Sequence, residues 1–434
     1  MKSVFRKELF ITSAILLIVF VFSGCAINLN KESSPESIES DCCKSEKISK
    51  YDPLKKIDLW KSENGTLLRG ANIYQRRAYL KIDGPNYMGP GPVGHPYTQE
   101  DFNSLSKLGA NYVHISHPGL FTEKPPYKVD IDIQNNLDKL VNMIDKANMF
   151  AVIAFRTGPG RSEFTFFADE AGDWFEKEMI DDSVWKNKVA QDAWAKMWQY
   201  TAKRYKNKNN VVGYHLMVEP NSNEILDIWE PEEFYKKYRN TLYDWNQFYP
   251  KISSSIREVD SSTPVLVGGL SYSSLEWFSY IKPIKDKNTV YVVHQYEPIA
   301  YTHQSSKGKF GYPGKMDLDF DGKKDGFDKN WLNGFLKNIS MFKKKHNALV
   351  AITEFGIHRW SPGASEFIKN QIELFEKNGF NHAIWMWHSS WKPQKENDAF
   401  DFQNGPKYKN HKKISNKLAD VIIKYWQKNS IRPK

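Results

Sequence analysis

Short apolar runs alternate with amphipathic stretches along most of the chain. From residue 65 onward, the runs GTLLRGANI, NYVHIS, FAVIAF and NVVGYHLMVE predict four strands, and PVLVGG, TVYVVHQY, LVAITEF and HAIWMW predict four more. Parallel strands that are covered on both faces have continuous apolar sequences, whereas half-exposed strands alternate apolar and polar residues. The pattern therefore indicates a parallel sheet that is buried on both faces.

Amphipathic helices separate these strands. The segment NNLDKLVNMIDKANM has one apolar helical face, formed by Leu137, Leu140, Val141, Ile144 and Ala147. Thr98 and Asp101 fit a capping box, and Gly109 ends the helix that they begin. Further helices are predicted over 185–205, 231–259, 273–281, 328–345, 363–378 and 414–426.

Eight successive strand-then-helix units fit a single α/β domain, a (β/α)8 TIM barrel over residues 51–434. The alternative is an open doubly wound sheet, which would favour a glycine-rich phosphate loop after the first strand. The segment RGANIYQRR is not such a loop. In a barrel, the loops that follow the strands form the active face, so the strand ends are where catalytic residues are expected.

The first residues of the chain have the layout of a secretory signal. Basic residues come first, an apolar run starts at Leu9, and small residues precede Cys25. The run is shorter than the roughly 20 apolar residues that a membrane-spanning helix needs. The sequence FSGC resembles the lipobox of bacterial lipoproteins, with Phe22 where leucine is usual. It predicts a signal peptide over 1–24 and a lipid on the Cys25 thiol.

A polar tether is predicted between the lipid and the barrel. Residues 25–50 are rich in Ser, Glu and Lys and contain few apolar side chains. The expected location is the bacterial cell envelope or cell surface, with the membrane reached through the N-terminal lipid. A plain secreted protein or an uncleaved anchor are the alternatives.

Composition and charge narrow the range of partners. The chain has 61 Lys and Arg against 51 Asp and Glu, for a net charge of +10. No zinc-finger or RNA-binding pattern accompanies the lysines, so we expect a solvated basic surface and no nucleic-acid partner. With only 3 cysteines, the chain has no disulfide framework. The 14 Trp and 22 Tyr supply flat platforms of the kind that sugar rings stack on.

Two glutamates stand at the ends of apolar runs. Glu219 ends the predicted fourth strand and Glu354 ends the seventh, which places them on opposite sides of the barrel mouth. Two carboxyl groups across a cleft suit glycoside hydrolysis, because one can protonate the leaving oxygen while the other attacks the sugar or activates water. Their pKa values must then be pushed apart.

The segments LRGANI, MVEP, HQY, ITEFG and WMW follow in the order and spacing of glycoside hydrolase family 5, the cellulase and mannanase family. The chain resembles this family from about Trp60 to Trp426. The resemblance implies a retaining glycosidase that cleaves a β-linked polysaccharide of the glucan or mannan type, with endo cleavage one option. It implies that Glu219 is the acid/base and Glu354 the nucleophile, without a cofactor.

The resemblance also implies substrate-binding residues. His294 and Tyr296 match a His-x-Tyr pattern in which the tyrosine holds the nucleophile and the histidine supports the sugar or the acid/base. Trp387 matches the tryptophan that stacks under the sugar at the point of cleavage, with Trp385 as the alternative.

Several positions depart from the family pattern. Val218 stands where the family has an asparagine that contacts the sugar 2-hydroxyl, and Asn221 is a possible substitute. His114 replaces an arginine of the second strand, and Arg156 replaces a histidine of the third. Arg156 and Arg161 would favour an anionic sugar, unless ion pairs within loops engage them.

An acidic segment, DLDFDGKKDGFD, has the spacing of a calcium-binding loop. The predicted ligands of a structural Ca²⁺ are Asp317, Asp319, Asp321, Asp325 and Asp328. A solvated acidic turn is the alternative. No third histidine stands at metalloprotease spacing, so a catalytic metal is not expected.

Two other functions compete with hydrolysis. A glycan-binding lipoprotein on an inactive barrel is favoured by Val218 and opposed by the presence of both Glu219 and Glu354. A transglycosylase would use the same two glutamates but pass the glycosyl unit to another sugar.

Overall fold

Eight parallel strands close into a barrel in the computed structural model, which describes residues 49–50, 56–62, 67–393 and 398–434. The strands, numbered β1 to β8, are Arg69–Tyr74, Tyr112–Pro118, Phe150–Thr157, Val211–His215, Val265–Gly268, Thr289–Gln295, Leu349–Phe355 and Asn381–Ile384. Each strand pairs with its neighbour in the chain, and β8 pairs with β1. The predicted barrel is confirmed. The predicted signal peptide and Cys25 lie outside the described residues.

Helices follow the strands on the outside of the barrel. Their bounds are Gln99–Lys107, Ile131–Lys146, Lys188–Tyr205, Pro231–Tyr238, Trp245–Arg257, Lys329–Phe335, Lys337–His346, Ala364–Lys377 and Lys417–Trp426. Short helical turns lie at Lys56–Trp60, Leu80–Asp83, Glu163–Glu170, Lys177–Met179, Ser183–Trp185, Ser222–Ile225, Leu270–Ser273, Leu275–Phe278, Ile299–Thr302 and Phe402–Asn404. Within the described part of the chain, none of the helices is long and apolar enough to span a membrane.

Two predicted helices are interrupted. The helix predicted over 231–259 is broken because Asp244 acts as an N-cap inside it, accepting a hydrogen bond from the backbone N–H of Asn246. The helix predicted over 328–345 breaks at Leu336, two residues after Gly334, a poor helix former. In both places a local signal overrides the apolar periodicity.

Three two-stranded ribbons lie outside the barrel. They pair 76–77 with 93–94, 314–316 with 325–327, and 49–50 with 431–432. The last ribbon is parallel and joins the two ends of the domain.

The N-terminal end of the barrel is closed by apolar side chains. Trp60 is 1% exposed, and its indole N–H donates to the carbonyl of Val212 at 3.0 Å. It packs in a cluster with Leu59, Leu68, Tyr112, Phe150, Leu266 and Ile431. The Lys56 ammonium donates to the Lys208 carbonyl at 3.0 Å and to the Thr263 hydroxyl at 3.1 Å. This closure leaves the C-terminal end of the strands as the open face.

We expect Trp60→Ala to destabilise the protein by about 3 to 5 kcal/mol, because it removes a large buried ring and leaves a cavity. Urea denaturation followed by circular dichroism measures the change. Leu80→Ala is the matched control, since Leu80 is 74% exposed and its loss should cost less than about 0.5 kcal/mol. Equal costs for the two variants would show that this cluster does not close the barrel.

Candidate active site

Glu219 lies in the loop after β4. The predicted fourth strand runs to Glu219, but the observed strand ends at His215. Glu219 has a φ of 52°, in the left-handed region that is uncommon for residues other than glycine. The guanidinium of Arg161 holds this backbone by donating to the carbonyls of Val218 at 2.7 Å and of Glu219 at 2.6 Å. Hydrogen bonds from the Arg161 side chain therefore hold the backbone at Glu219, beyond the end of β4.

Glu354 lies within β7 and is 2% exposed. The pairing of β7 with β6 shifts register between Ile352 and Glu354, and such irregularities re-aim side chains next to active sites. The phenol of Tyr296 donates to Glu354 Oε2 at 3.1 Å. The contact between Tyr296 and Glu354 that the sequence predicts is present in the structure.

His294 bridges the two carboxyl groups. Its Nδ1 lies 3.0 Å from Glu219 Oε1 and 3.5 Å from Glu354 Oε2. One side-chain ligand atom of each of these three residues lies within 4.8 Å of the others. Because the carboxylate of Glu219 can only accept, His294 Nδ1 carries the proton of that hydrogen bond.

The environment separates the pKa values of the two glutamates. Burial raises the pKa of Glu354 to about 7, with the charge of His294 opposing the shift and that of Glu219 adding to it. Burial also acts to raise the pKa of Glu219, but the hydrogen bond from His294 and the charge of Arg156 hold it below its ordinary value. In the free site Glu219 therefore loses its proton at a lower pH than Glu354 does.

Arg156 in β3 and Arg161 in the loop that follows are both engaged within the protein. Arg156 Nε donates to Glu163 at 2.8 Å, and its Nη1 lies 3.6 Å from Glu219 Oε2. Its guanidinium also stacks over the ring of Phe166 at 3.6 Å. Arg161 is fully buried and clamps backbone carbonyls. Contacts within the protein thus occupy both guanidinium groups. They give no support to the prediction that these arginines favour an anionic sugar.

Asn221 braces the loop of Glu219. Its Oδ1 accepts from Arg161 at 3.1 Å, and its Nδ2 donates to Glu224 at 2.9 Å. The side chain is fully buried, like that of Val218 beside it. The predicted contact of Asn221 with the sugar gains no support from this placement, because both ends of its amide are already used.

His114 lies inside the barrel and is fully buried. Its Nδ1 donates to Asn72 Oδ1 at 2.6 Å, and its Nε2 is 3.0 Å from His215 Nδ1. Burial lowers the pKa of His114 to about 3, so the ring is neutral and Nε2 accepts from His215. The His215 ring lies 5.9 Å from that of His294, so His114 contributes to a histidine chain behind the carboxylates.

The sequence reasoning missed His215. The available signal was a histidine inside the apolar run NVVGYHLMVE, where a polar side chain must find a buried partner.

Trp387 is a core residue, and the prediction that it stacks under the sugar is wrong. It is 1% exposed, and its indole N–H donates to the Asp101 carbonyl at 3.1 Å. The resemblance to the family predicted Trp387 for this role, with Trp385 as the alternative, and both residues lie beyond the end of β8 at Ile384. Trp385 is only partly buried, with its ring 6.0 Å from that of Tyr74, and it is the better candidate for a sugar platform.

The predicted calcium loop is only partly assembled. Carboxylate oxygens of Asp317, Asp319 and Asp321 lie within 4.8 Å of one another. Asp325 pairs with Met316 in a ribbon, and Asp328 caps a helix by accepting from two backbone N–H groups. Asp328 thus has a helix-capping role that the loop spacing did not predict. Calcium binding stays a prediction from the sequence.

Comparisons with known proteins find similar sequences and a similar fold. The family model Cellulase (glycosyl hydrolase family 5) matches residues 80–390. Endoglucanase C of Acetivibrio thermocellus is 21% identical over 316 residues, which cover 66% of this chain and 83% of that protein. Cellodextrinase A of Ruminococcus flavefaciens is 23% identical over 208 residues, covering 48% of this chain and 54% of that protein.

A solved structure shows a similar fold. Endoglucanase Cel5A from Thermotoga maritima superposes with a TM-score of 0.57 at 18% identity, covering 86% of this chain and 100% of that chain. At this level of identity the superposition supports the barrel fold.

We expect Glu354→Gln to raise the melting temperature at pH about 8 and to change it little near pH 5. The folded state raises the pKa of Glu354, so the stability from its bound proton is present at low pH and is lost as the pH rises through about 7. Glutamine has no such proton to lose. Melting temperatures of both proteins across this range measure the effect, with the exposed Glu366→Gln as control. A difference that does not change with pH would contradict the raised pKa.

Proposed function

The chain belongs to glycosyl hydrolase family 5, and we propose that it is a retaining β-glycosidase that cleaves β-linked polysaccharide of the glucan or mannan type. The observation that carries this proposal is the grouping of Glu219, His294 and Glu354 at the open end of the barrel. Retaining glycosidases hold their carboxyl groups about 5–5.5 Å apart, whereas inverting ones leave about 6.5–9.5 Å for a water molecule. Contacts within 4.8 Å favour retention.

The reaction follows from the two carboxyl groups. Glu354 attacks the anomeric carbon while Glu219 gives its proton to the leaving oxygen, which breaks the glycosidic bond and forms a glycosyl ester on Glu354. Water then attacks the anomeric carbon, Glu219 takes its proton, and Glu354 leaves as a carboxylate. No cofactor takes part in these steps.

His294 can set the order in which the two groups lose their protons. The free site holds Glu219 ionised, but the first step needs the proton on Glu219 and the charge on Glu354. His294 Nδ1 is 3.0 Å from Glu219 and 3.5 Å from Glu354, so a small movement transfers its hydrogen bond to Glu354. That transfer would stabilise the Glu354 carboxylate and raise the pKa of Glu219. We propose that glycan binding causes it.

The substrate class rests on the relatives. Their names include endoglucanase and cellodextrinase, and structures of Thermotoga maritima Cel5A are described in complex with cellobiose and with mannotriose. These names support a glucan or mannan substrate and internal cleavage. The lipobox-like sequence before Cys25 supports a place on the cell envelope, where an exposed polysaccharide is accessible.

We expect Glu219→Ala and Glu354→Ala to lower polysaccharide hydrolysis by at least about 100-fold, because general acid–base catalysis alone contributes about 10²–10⁴-fold. Reducing-sugar release from β-glucans and mannans measures this. A nitrophenyl glycoside separates the roles, since its leaving group needs no proton. Glu219→Ala should then release a burst of nitrophenol, whereas Glu354→Ala should release none.

Glu366→Ala is the matched control, because Glu366 is exposed on the first turn of the outer helix Ala364–Lys377. Glycan binding without cleavage by the wild type would contradict the hydrolase and favour the glycan-binding alternative. Transfer of the glycosyl unit to an added sugar as the main outcome would favour the transglycosylase.

Two variants test which tryptophan, Trp385 or Trp387, is the sugar platform and which is a core residue. Trp385→Ala should raise KM by about 5-fold or more at unchanged stability, since stacking on an aromatic face is worth about 1 kcal/mol or more. Trp387→Ala should instead lower the melting temperature, because Trp387 is buried. The opposite pattern would restore Trp387 as the platform. Kinetics and thermal denaturation of both variants provide the measurement.

A further inference from the structure

Exposed lysines gather at the closed, N-terminal end of the barrel. Six of them are Lys206, Lys208, Lys285, Lys287, Lys344 and Lys345, which lie in the last turn of a helix or in the segment before the next strand. We call this surface the lysine base. All six side chains are exposed, and none makes an ion pair within the described part of the chain. Parallel strands in one closed barrel bring these segments to the same end.

Two acidic groups at this end already have cationic partners. Asp286 pairs with Arg257 at 2.7 Å, and Asp145 pairs with Lys434 at 3.0 Å. The opposite end differs in sign, because the segment 163–182 after β3 is rich in Asp and Glu and contains one lysine, Lys177. Exposed lysines also occur at the open end, in the loop after β6, but there acidic side chains such as Asp317, Asp319 and Asp321 accompany them.

Helix ends account for only part of this pattern. Cations stabilise the last turn of a helix, which suffices for Lys344 and Lys345 in the helix Lys337–His346. Lys285 and Lys287 lie between the turn Leu275–Phe278 and β6, away from any helix end. These two lysines stabilise no helix end, so the helix dipole does not explain their position.

The chain before the barrel joins the domain at the same end. Ser49–Lys50 pairs with Ile431–Arg432, and Arg432 donates to the Ala110 carbonyl at 2.6 Å, just before β2 begins. The residues that precede Ser49 include the apolar run from Leu9 and Cys25. A membrane reached by that segment would face the lysine base, and the site around Glu219 and Glu354 would point away from it.

We propose that the lysine base docks on an anionic lipid bilayer and directs the active site outward. Lysines near an anionic membrane surface contribute about 1 kcal/mol each, and the attraction fades within a Debye length of about 8–10 Å. The interaction is independent of hydrolysis, so its failure leaves the proposed activity untouched.

The test is cosedimentation of the full chain with vesicles of phosphatidylcholine alone or of equal parts phosphatidylcholine and phosphatidylglycerol. The apolar N-terminal segment is common to all proteins tested, so the difference between the two vesicle types reports the lysine base. The variant Lys285→Gln/Lys287→Gln/Lys344→Gln/Lys345→Gln should lose on the order of 1,000-fold in affinity for the anionic vesicles only.

The control removes the same charge from the other end of the barrel. Lys307→Gln/Lys309→Gln/Lys315→Gln/Lys324→Gln changes four exposed lysines in the loop after β6 and should bind as the wild type does. Raising the salt from about 0.05 M to about 0.5 M should weaken wild-type binding to the anionic vesicles. The melting temperature of each variant checks that it is folded.

Three results would overturn the proposal. They are equal binding of the wild type to both vesicle types, equal losses in the two variants, and binding to a soluble polyanion such as polyphosphate without binding to anionic vesicles. The last result would assign the lysine base to an anionic polymer.

Discussion

A buried guanidinium holds together the part of the molecule on which the site depends. Arg161 donates to the carbonyls of Arg156, Val218 and Glu219 and to the side chain of Asn221. Burial and the charge of Arg156 lower the pKa of Arg161 to about 9, which measures the cost of placing a cation there. The carbonyl dipoles offset that cost, and in return they fix the left-handed backbone that carries Glu219.

The two ends of the barrel have different roles. The closed end stabilises the fold, and the open end carries the two glutamates of the site. At the closed end, apolar rings such as Trp60 and the buried Lys56 tie the segments between helices and strands together. The open end can therefore hold features that cost stability, including a left-handed Glu219 and the fully buried His114 and His215. The strands β2 and β4 place His114 and His215 within hydrogen-bond distance of each other, whereas Arg161 holds Glu219 in its loop.

The sequence predicts repetitive structure well here because burial on both faces of β1 to β8 leaves a continuous apolar signal. It also places Glu219 and Glu354 at one end, since strand ends share a face in any parallel barrel. The sequence does not predict the direction in which a side chain points once its strand has ended. Trp385 and Trp387 are two residues apart, and their exposure depends on where β8 stops at Ile384, a boundary that apolar periodicity does not mark.

Long-range hydrogen bonds escape sequence reasoning for a similar reason. Arg161 and Val218 are 57 residues apart, and His114 and His215 are 101 residues apart, so no local pattern links them. The residue type still carries information. A histidine or arginine in a buried segment must find a partner, and the loops of a barrel offer few.

The buried state of Glu354 bears on the choice between a catalyst and a binding protein. A binding protein would gain from an amide at this position, because burial raises the pKa of the Glu354 carboxyl to about 7 and its charge is costly to hold. Tyr296 and His294 instead position the carboxyl group, leaving Oε1 without a partner among the described residues. An unpartnered, buried carboxyl oxygen that faces a second carboxyl group, Glu219, is what a nucleophile requires and what a passive binding site avoids. Val218 removes one polar contact from such a site, but it does not remove this arrangement.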